Sequence, residues 1–143
     1  SLKLLQLGDA LAKRLGGSNT VVSCWNFEHE NFLRNSPFAK TDSAKVDALV
    51  AEAEQSHKQA LDKLISDANV AELSVVCKRG EAHEVIPSLV ERESVDIVVM
   101  GTVARTGIPG FITGNTAENI VQSLTCGMFA VKPDGFVSPV TKR

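Results

Sequence analysis

The chain has 143 residues, 43% of them hydrophobic, and a formal net charge of -2 at pH 7. This length suits a single domain with an ordinary packed core, and so small a charge excludes the basic footprint of a nucleic-acid-binding protein. No apolar run approaches the ~18 residues of a membrane span, and no signal peptide is recognisable, so we expect a cytoplasmic location.

Three cysteines, Cys24, Cys77 and Cys126, are spread along the chain, and each lies in or beside an apolar run. This placement indicates buried thiols in a reducing compartment. The sequence contains no Cys-x-x-Cys pair and no cysteine and histidine cluster, so no metal site is predicted.

The first part of the chain predicts a helix, a strand and a loop. Leucines at helical spacing continue to Leu15, and Gly16 and Gly17 end the pattern. Residues 19–25 are rich in β-branched types and predict a strand. Residues 26–42 are polar, contain aromatic side chains and show no period, which predicts a long loop of a kind that is usually functional or mobile.

In the middle of the chain the sequence predicts a helix, a strand and a second helix. Apolar residues at a 3.6-residue period predict one amphipathic helix over residues 43–68, capped by a residue of the range 41–43. Residues 72–78 predict a strand and residues 81–93 a helix. Pro87 lies inside that last pattern, where it should bend the helix or mark a late start.

The next stretch holds a buried strand, a glycine loop and a helix start. Residues 95–100 are apolar except for Asp96, which predicts a strand covered on both faces and ended by Gly101. Glycines and a proline forbid regular structure up to Gly114, and residues 115–118 are typical of a helix start. Free amides and the positive end of a helix dipole then converge, which predicts an anion site.

Residues 126–131 predict a last strand, and Pro133 stops its ladder; the tail from residue 132 to residue 143 is expected to be loose. Strands that alternate with helices predict an α/β fold with a doubly wound parallel sheet and helices on both faces. In such sheets ligands bind outside the carboxyl ends of the strands, here at the loop of residues 101–114.

This loop matches neither the Walker motif nor Gly-x-Gly-x-x-Gly. Its pattern is Gly101, two residues, Ala104, nine residues, then Gly114 and Asn115. The pattern resembles the nucleotide-binding signature of the universal stress protein family, which has glycine, two residues, glycine, nine residues, then glycine and a serine or threonine. The similarity covers essentially the whole chain. It is greatest to the second domain of the tandem-domain E-type members, through the segments GTVARTG, GNTAE and VKPD.

The resemblance implies a three-layer fold of the adenine nucleotide alpha hydrolase-like type and an ATP or AMP site, with magnesium only alongside ATP. The base would lie near Trp25 and Met100. The phosphates would rest on amides of the loop and the helix start, with Arg105 as a further phosphate partner. The nucleotide-binding residues implied are Trp25, Met100, Gly101, Thr102, Ala104, Arg105, Gly114, Asn115 and Thr116.

Two positions depart from the family pattern. Ala104 replaces a glycine, so its Cβ crowds a phosphate if the backbone there needs positive φ. Asn115 stands where nucleotide-binding members have a hydroxyl, and its amide can still donate a hydrogen bond although it is bulkier.

Family members begin with the central strand of their sheet, whereas this chain opens within a helix. The resemblance therefore implies that a strand is missing before residue 1, since a sheet without its centre leaves two unpaired edges. In the family an aspartate at the end of that strand helps to hold the adenine or ribose. No residue of this sequence can be assigned that role.

Two functions remain open. The first is a nucleotide-binding stress-response module. The second is a protein without nucleotide that acts as a dimerisation or scaffold domain or holds a lipid-like ligand, with residues 108–112 packing on a partner. Relatives pair the last strand across a two-fold axis or with the other half of a tandem chain, which implies a homodimer or an intramolecular tandem-domain pair.

Catalysis has little support in the sequence. No nucleophile has an adjacent base, and the histidines are scattered. His29 is expected to be solvated, and His57 is expected to flank the core. The chain is therefore not predicted to be an enzyme, beyond slow hydrolysis of a bound ATP.

Overall fold

The structure, a computed structural model, describes residues 2–37, 42–102, 115–132 and 134–135. Their contacts divide the chain into a first unit, Leu2–Glu81, and a second unit formed by the residues from Ala82 onward. The prediction of a single domain over residues 1–143 stays a prediction, and most of the tail after residue 132 lies outside the described residues.

The first unit contains three helices and two strands among its described residues. They are α1 (Leu2–Leu15), β1 (Thr20–Trp25), α2 (Glu30–Asn35), α3 (Ser43–Ala68) and β2 (Ser74–Arg79). β1 and β2 run parallel, in a register that pairs Thr20 with Ser74 and Trp25 with Arg79. Trp25 and Arg79 are therefore the last paired residues, side by side at the carboxyl end of both strands.

The helix ends of the first unit follow from local chemistry. Gly16 adopts a left-handed φ of 67° after α1, and the Gly17 amide donates to the Ala12 carbonyl at 2.9 Å, which is the longer bond of a Schellman motif. Asp42 caps α3, and its carboxylate accepts from the Ala44 amide at 3.4 Å. Both ends were predicted from these residue types.

The helix α2 corrects the prediction of an uninterrupted loop over residues 26–42. It has 6 residues, which is too short for an apolar period to be visible in the sequence. The Leu33 amide donates to the His29 carbonyl at 2.9 Å, and Arg34 pairs with Glu30 one turn away at 2.9 Å. None of the α2 side chains is buried, and the ring of Phe32 is 63% exposed.

The core of the first unit lies where α3 packs on its neighbours. Val46 of α3 is completely buried, and Leu61 of α3 and Leu5 of α1 are nearly so. The predicted apolar stripe of α3 thus supplies part of this core. Burial of such side chains is the main stabilising contribution to folding. The three cysteines are free and half-buried, less enclosed than the sequence suggested.

The second unit contains two helices and two strands among its described residues. They are α4 (Ala82–Glu93), β3 (Ile97–Gly101), α5 (Asn115–Ser123) and β4 (Gly127–Val131). β3 and β4 run parallel and pair Ile97 with Gly127 and Gly101 with Val131. The Gly127 amide donates to the Asp96 carbonyl at 2.9 Å and fixes the start of this pairing.

In the second unit α4 packs against α5 through a small apolar core, formed by Leu89, Val90, Ala117 and Ile120. Pro87 lies inside α4, which begins at Ala82, so the alternative of a late helix start at this proline is wrong. The proline ring removes the bond that an N–H would donate to the preceding turn. After α4, Ser94 takes a left-handed φ of 51° and the Val95 amide donates to the Val90 carbonyl at 3.0 Å.

The four described strands form two parallel pairs, β1 with β2 and β3 with β4. Parallel strands separated by helices confirm the predicted α/β class. That a further strand precedes residue 1 stays a prediction. Among the described residues no helix is both long enough and apolar enough to cross a membrane.

Candidate functional site

The candidate site is the carboxyl end of β3 together with the first turn of α5. Met100 pairs with Ala130, and Gly101 pairs with Val131 as the last register pair of the strand. The Thr102 amide then donates to the Val131 carbonyl at 3.1 Å, and the Thr102 hydroxyl reaches the same oxygen at 3.5 Å. Thr102 therefore fixes the point at which the chain leaves the sheet.

This bonding also sets the direction of the Gly101 amide. Successive residues of a strand direct their N–H groups to opposite sides, and the Thr102 amide is directed to β4. The Gly101 amide is accordingly directed away from β4. A glycine at this position keeps the surroundings of that donor free of a side chain.

The helix start lies on the same edge of this unit. β3 and β4 are parallel, and α5 joins them as the crossover, so the helix begins on the side where β3 ends. α5 starts at Asn115, one or two residues before the start expected from capping by Asn115 or Thr116. The first amides of a helix have no partner within it and carry the positive end of the dipole, which favours an anion. Glu118 in the same turn already supplies one negative charge there.

The structure describes only part of the predicted site. Ala104, Arg105 and Gly114 lie outside the described residues. Asn115 and Thr116 are placed at the start of α5, but their side chains lie outside the described part. The roles assigned to these residues stay predictions.

Trp25, the residue predicted to contact a base, lies in the first unit. Its side chain is only 8% exposed, and the Arg79 guanidinium carbon lies 5.5 Å from the ring centroid. The Trp25 carbonyl accepts from the Gly80 amide at 2.9 Å. As the side chains lie here, a cation covers the ring, and contact of Trp25 with a base stays a prediction that requires Arg79 to move.

Around Trp25 the first unit carries a polar network that was not predicted from the sequence. Arg79 forms an ion pair with Glu30 of α2, and Glu30 also accepts from Arg34 at 2.9 Å. The Arg34 guanidinium also donates to the Asp47 carboxylate of α3 at 2.5 Å. The only sequence signal was the glutamate and arginine spacing within α2, because the approach of Arg79 depends on the register of two strands distant in the sequence.

A second missed contact joins β1 to α3. The Ser23 hydroxyl lies 2.8 Å from Nε2 of His57, in a half-buried position. This agrees with the prediction that His57 flanks the core. On the same strand the pKa of the Cys24 thiol is raised, mainly by burial and to a smaller extent by Cys77 and Glu81. The thiol is therefore protonated and unreactive.

Parallel strands joined by helices, with α5 beginning at the edge where the partly exposed strand β3 ends, define an α/β protein. The family is also shown directly: the model of the universal stress protein family matches residues 1–132. The chain belongs to the universal stress protein family.

Individual relatives support this membership. Over 84 residues the chain is 39% identical to universal stress protein E of Escherichia coli strain K12, an alignment that covers 59% of this chain and 27% of that relative. The chain thus spans about a quarter of the length of such relatives in these alignments.

Solved structures show the same fold. The universal stress protein UspA from Lactobacillus plantarum superposes with a TM-score of 0.67 at 13% identity, covering 90% of this chain and 87% of that one. A universal stress protein in complex with cAMP superposes with a TM-score of 0.58 at 12% identity, covering 92% and 86%. The predicted fold class is thereby confirmed.

Proposed function

We propose that this chain is a stress-response module that binds ATP or AMP at the carboxyl end of β3. The observation that carries the proposal is the Gly101 amide, directed away from β4 beside the strand end from which the chain continues to α5. Support comes from the structural neighbour that was solved with cAMP, which shares the fold. The free cysteines suit the reducing cytoplasm proposed for the protein.

In this proposal the phosphates rest on backbone amides. The donors are Gly101, Ala104, Gly114, Asn115 and Thr116, and Arg105 supplies a positive charge. The Thr102 amide is not among them, because it is bonded to Val131. Thr102 instead positions the start of the loop. Met100, half-buried beside Gly101, lies where a base would contact the strand end.

Magnesium would enter with the nucleotide. Within residues 2–37, 42–102 and 115–132 no group of three histidine, cysteine, aspartate or glutamate side chains could hold a metal ion. Magnesium commonly keeps several waters and is bound mainly by phosphate oxygens. We therefore propose that AMP binds equally well with and without magnesium, whereas ATP binding responds to it.

The proposal is tested by calorimetric titration of the chain with ATP and AMP. Asn115→Asp is nearly isosteric and is tolerated in the first turn of a helix, but it adds a negative charge where phosphate would lie. We expect it to weaken AMP binding by about ten-fold or more, as loss of a charge-assisted hydrogen bond does. Asn115→Ser introduces the hydroxyl of the family pattern and is expected to strengthen binding.

Gln122→Glu is the matched control, since it makes the same amide-to-acid change on the exposed face further along α5. It should leave both affinities unchanged. Gly114→Trp should abolish binding by filling the loop. If millimolar ATP and AMP give no heat and no rise in melting temperature with the unmodified chain, the nucleotide function is rejected.

A second candidate function is an interaction module that pairs through β4. The specific observation is the exposure of apolar side chains there: Phe129 of β4 is 50% exposed, and Val121 of α5 is 45% exposed. An apolar strand edge of this kind favours pairing with another strand. Sedimentation of this chain should show a homodimer that Phe129→Glu dissociates; a monomer at high concentration would contradict pairing between two copies of the chain.

A further inference from the structure

We propose that the ion pair between Glu30 and Arg79 is a latch that keeps the ring of Trp25 covered, and that its opening uncovers an aromatic surface at the carboxyl end of β1. The proposal concerns the first unit alone and does not rest on the proposed nucleotide function. The starting observation is that Trp25 is buried although it lies at the end of β1, where a loop follows.

The cover over Trp25 is a charged side chain. The Arg79 guanidinium lies over the ring at 5.5 Å, while the ring as a whole is 8% exposed. Trp25 and Arg79 are register partners at the last rung of the sheet. Their backbones are thus fixed, and the arginine side chain can swing away without a change in the strand pairing.

Glu30 holds the cover in place. Its carboxylate pairs with Arg79 and, through the other oxygen, accepts from Arg34 at 2.9 Å. The Glu30 side chain is only 18% exposed, whereas that of Arg79 is 44% exposed. The carboxylate is therefore the enclosed partner of the pair and the arginine is the one that solvent reaches.

The element that carries Glu30 has only a weak apolar anchor, since Leu33 of α2 is half-buried. None of the α2 side chains is buried, and its links to the rest of the unit include Arg34 to Asp47 at 2.5 Å and Arg34 to Ser43 at 3.3 Å. Polar contacts at a surface are weak and are screened by salt. A cover held in this way opens and closes readily, which distinguishes it from a packed core residue.

Fluorescence reports the latch directly, since Trp25 is the single tryptophan of the 143 residues. Acrylamide is uncharged, so salt does not change its encounters with the protein. We expect the quenching constant of Trp25 in the unmodified chain to rise between about 0.1 M and 1 M sodium chloride, over which the screening length falls from about 10 Å to about 3 Å. The circular dichroism spectrum should not change.

Glu30→Gln should raise the low-salt quenching constant by up to about five-fold, the range open to an exposed ion pair, and should remove its salt dependence. Glu28→Gln is the matched control: the same change on an exposed glutamate of the same segment. It should behave as the unmodified chain. Arg34→Gln leaves Arg79 in place and is expected to have a much smaller effect than Glu30→Gln.

Two results would overturn the latch. One is a quenching constant of the unmodified chain that does not respond to salt, a measurement that requires no variant to fold. The other is a folded Glu30→Gln variant whose Trp25 is as protected as before.

Discussion

The Ser23 hydroxyl and Nε2 of His57 lie 2.8 Å apart, in a half-buried hydrogen bond that ties the strand β1 to the long helix α3. Ser23→Ala leaves the imidazole without this partner, and we expect a loss of about 1 kcal/mol in the free energy of unfolding. Urea denaturation measures it. The same substitution at exposed Ser74 of β2 should change stability by less than about 0.5 kcal/mol.

A double-mutant cycle with His57→Ala isolates this contact. If the hydrogen bond stabilises the fold, the two substitutions should couple by roughly 1 kcal/mol. Strict additivity would show that the pair contributes nothing beyond its separate packing.

Neighbouring residues of α5 make a matched test of the second unit's core. Ile120 is 1% exposed, whereas Val121 is 45% exposed. Ile120→Ala should cost about 3 kcal/mol, through lost burial and the cavity left against α4. Val121→Ala should cost no more than ~0.5 kcal/mol. Equal costs in thermal or urea unfolding would show that α5 is not packed as described.

Left-handed residues at two helix ends predict stabilising substitutions. Ser94 has φ 51° after α4, and Asn69 has φ 52° after α3. A serine pays for this conformation more heavily than an asparagine, while glycine adopts it freely. Ser94→Gly should stabilise the chain by ~0.5–1 kcal/mol, and Asn69→Gly by less. The opposite order in urea unfolding would contradict the assignment of Ser94 to the left-handed region.

The Cys24 thiol should be slow to react in the folded chain. Burial above all, with Cys77 and Glu81 adding to it, raises the pKa of Cys24 above its ordinary value of 9.0. The unfolded chain therefore ionises first, so the stability that the protonated thiol contributes is complete below pH 9 and is lost as the pH rises through the raised pKa. At pH 8.5 iodoacetamide should label Cys24 several-fold more slowly in the folded chain than in urea.

Site-resolved mass spectrometry of the labelled peptides measures this rate without removing any cysteine. Glu81→Gln removes the smallest of the three causes and should accelerate labelling slightly. Equal labelling of Cys24 in the folded and the urea-unfolded chain would contradict the prediction.

The ligand site could be predicted from the sequence only in part. Glycines that end a strand and a residue type that starts a helix are local features, so the end of β3 and the start of α5 were found within one or two residues of the expected positions. The hydrogen bond from the Thr102 amide to the Val131 carbonyl could not be predicted, because it depends on how β3 pairs with a strand distant in the sequence.

The sequence alone determined the type of nearly every element and the family, because helical and strand periods and capping residues act over a few neighbours. The long helix α3 shows this most clearly: its predicted range, 43–68, was found, and its cap is Asp42, one of the three candidates of the range 41–43. Only the tertiary structure decided that α2 forms and that Arg79 covers Trp25. Both depend on contacts between residues distant in the chain, whose energies do not appear in any local pattern.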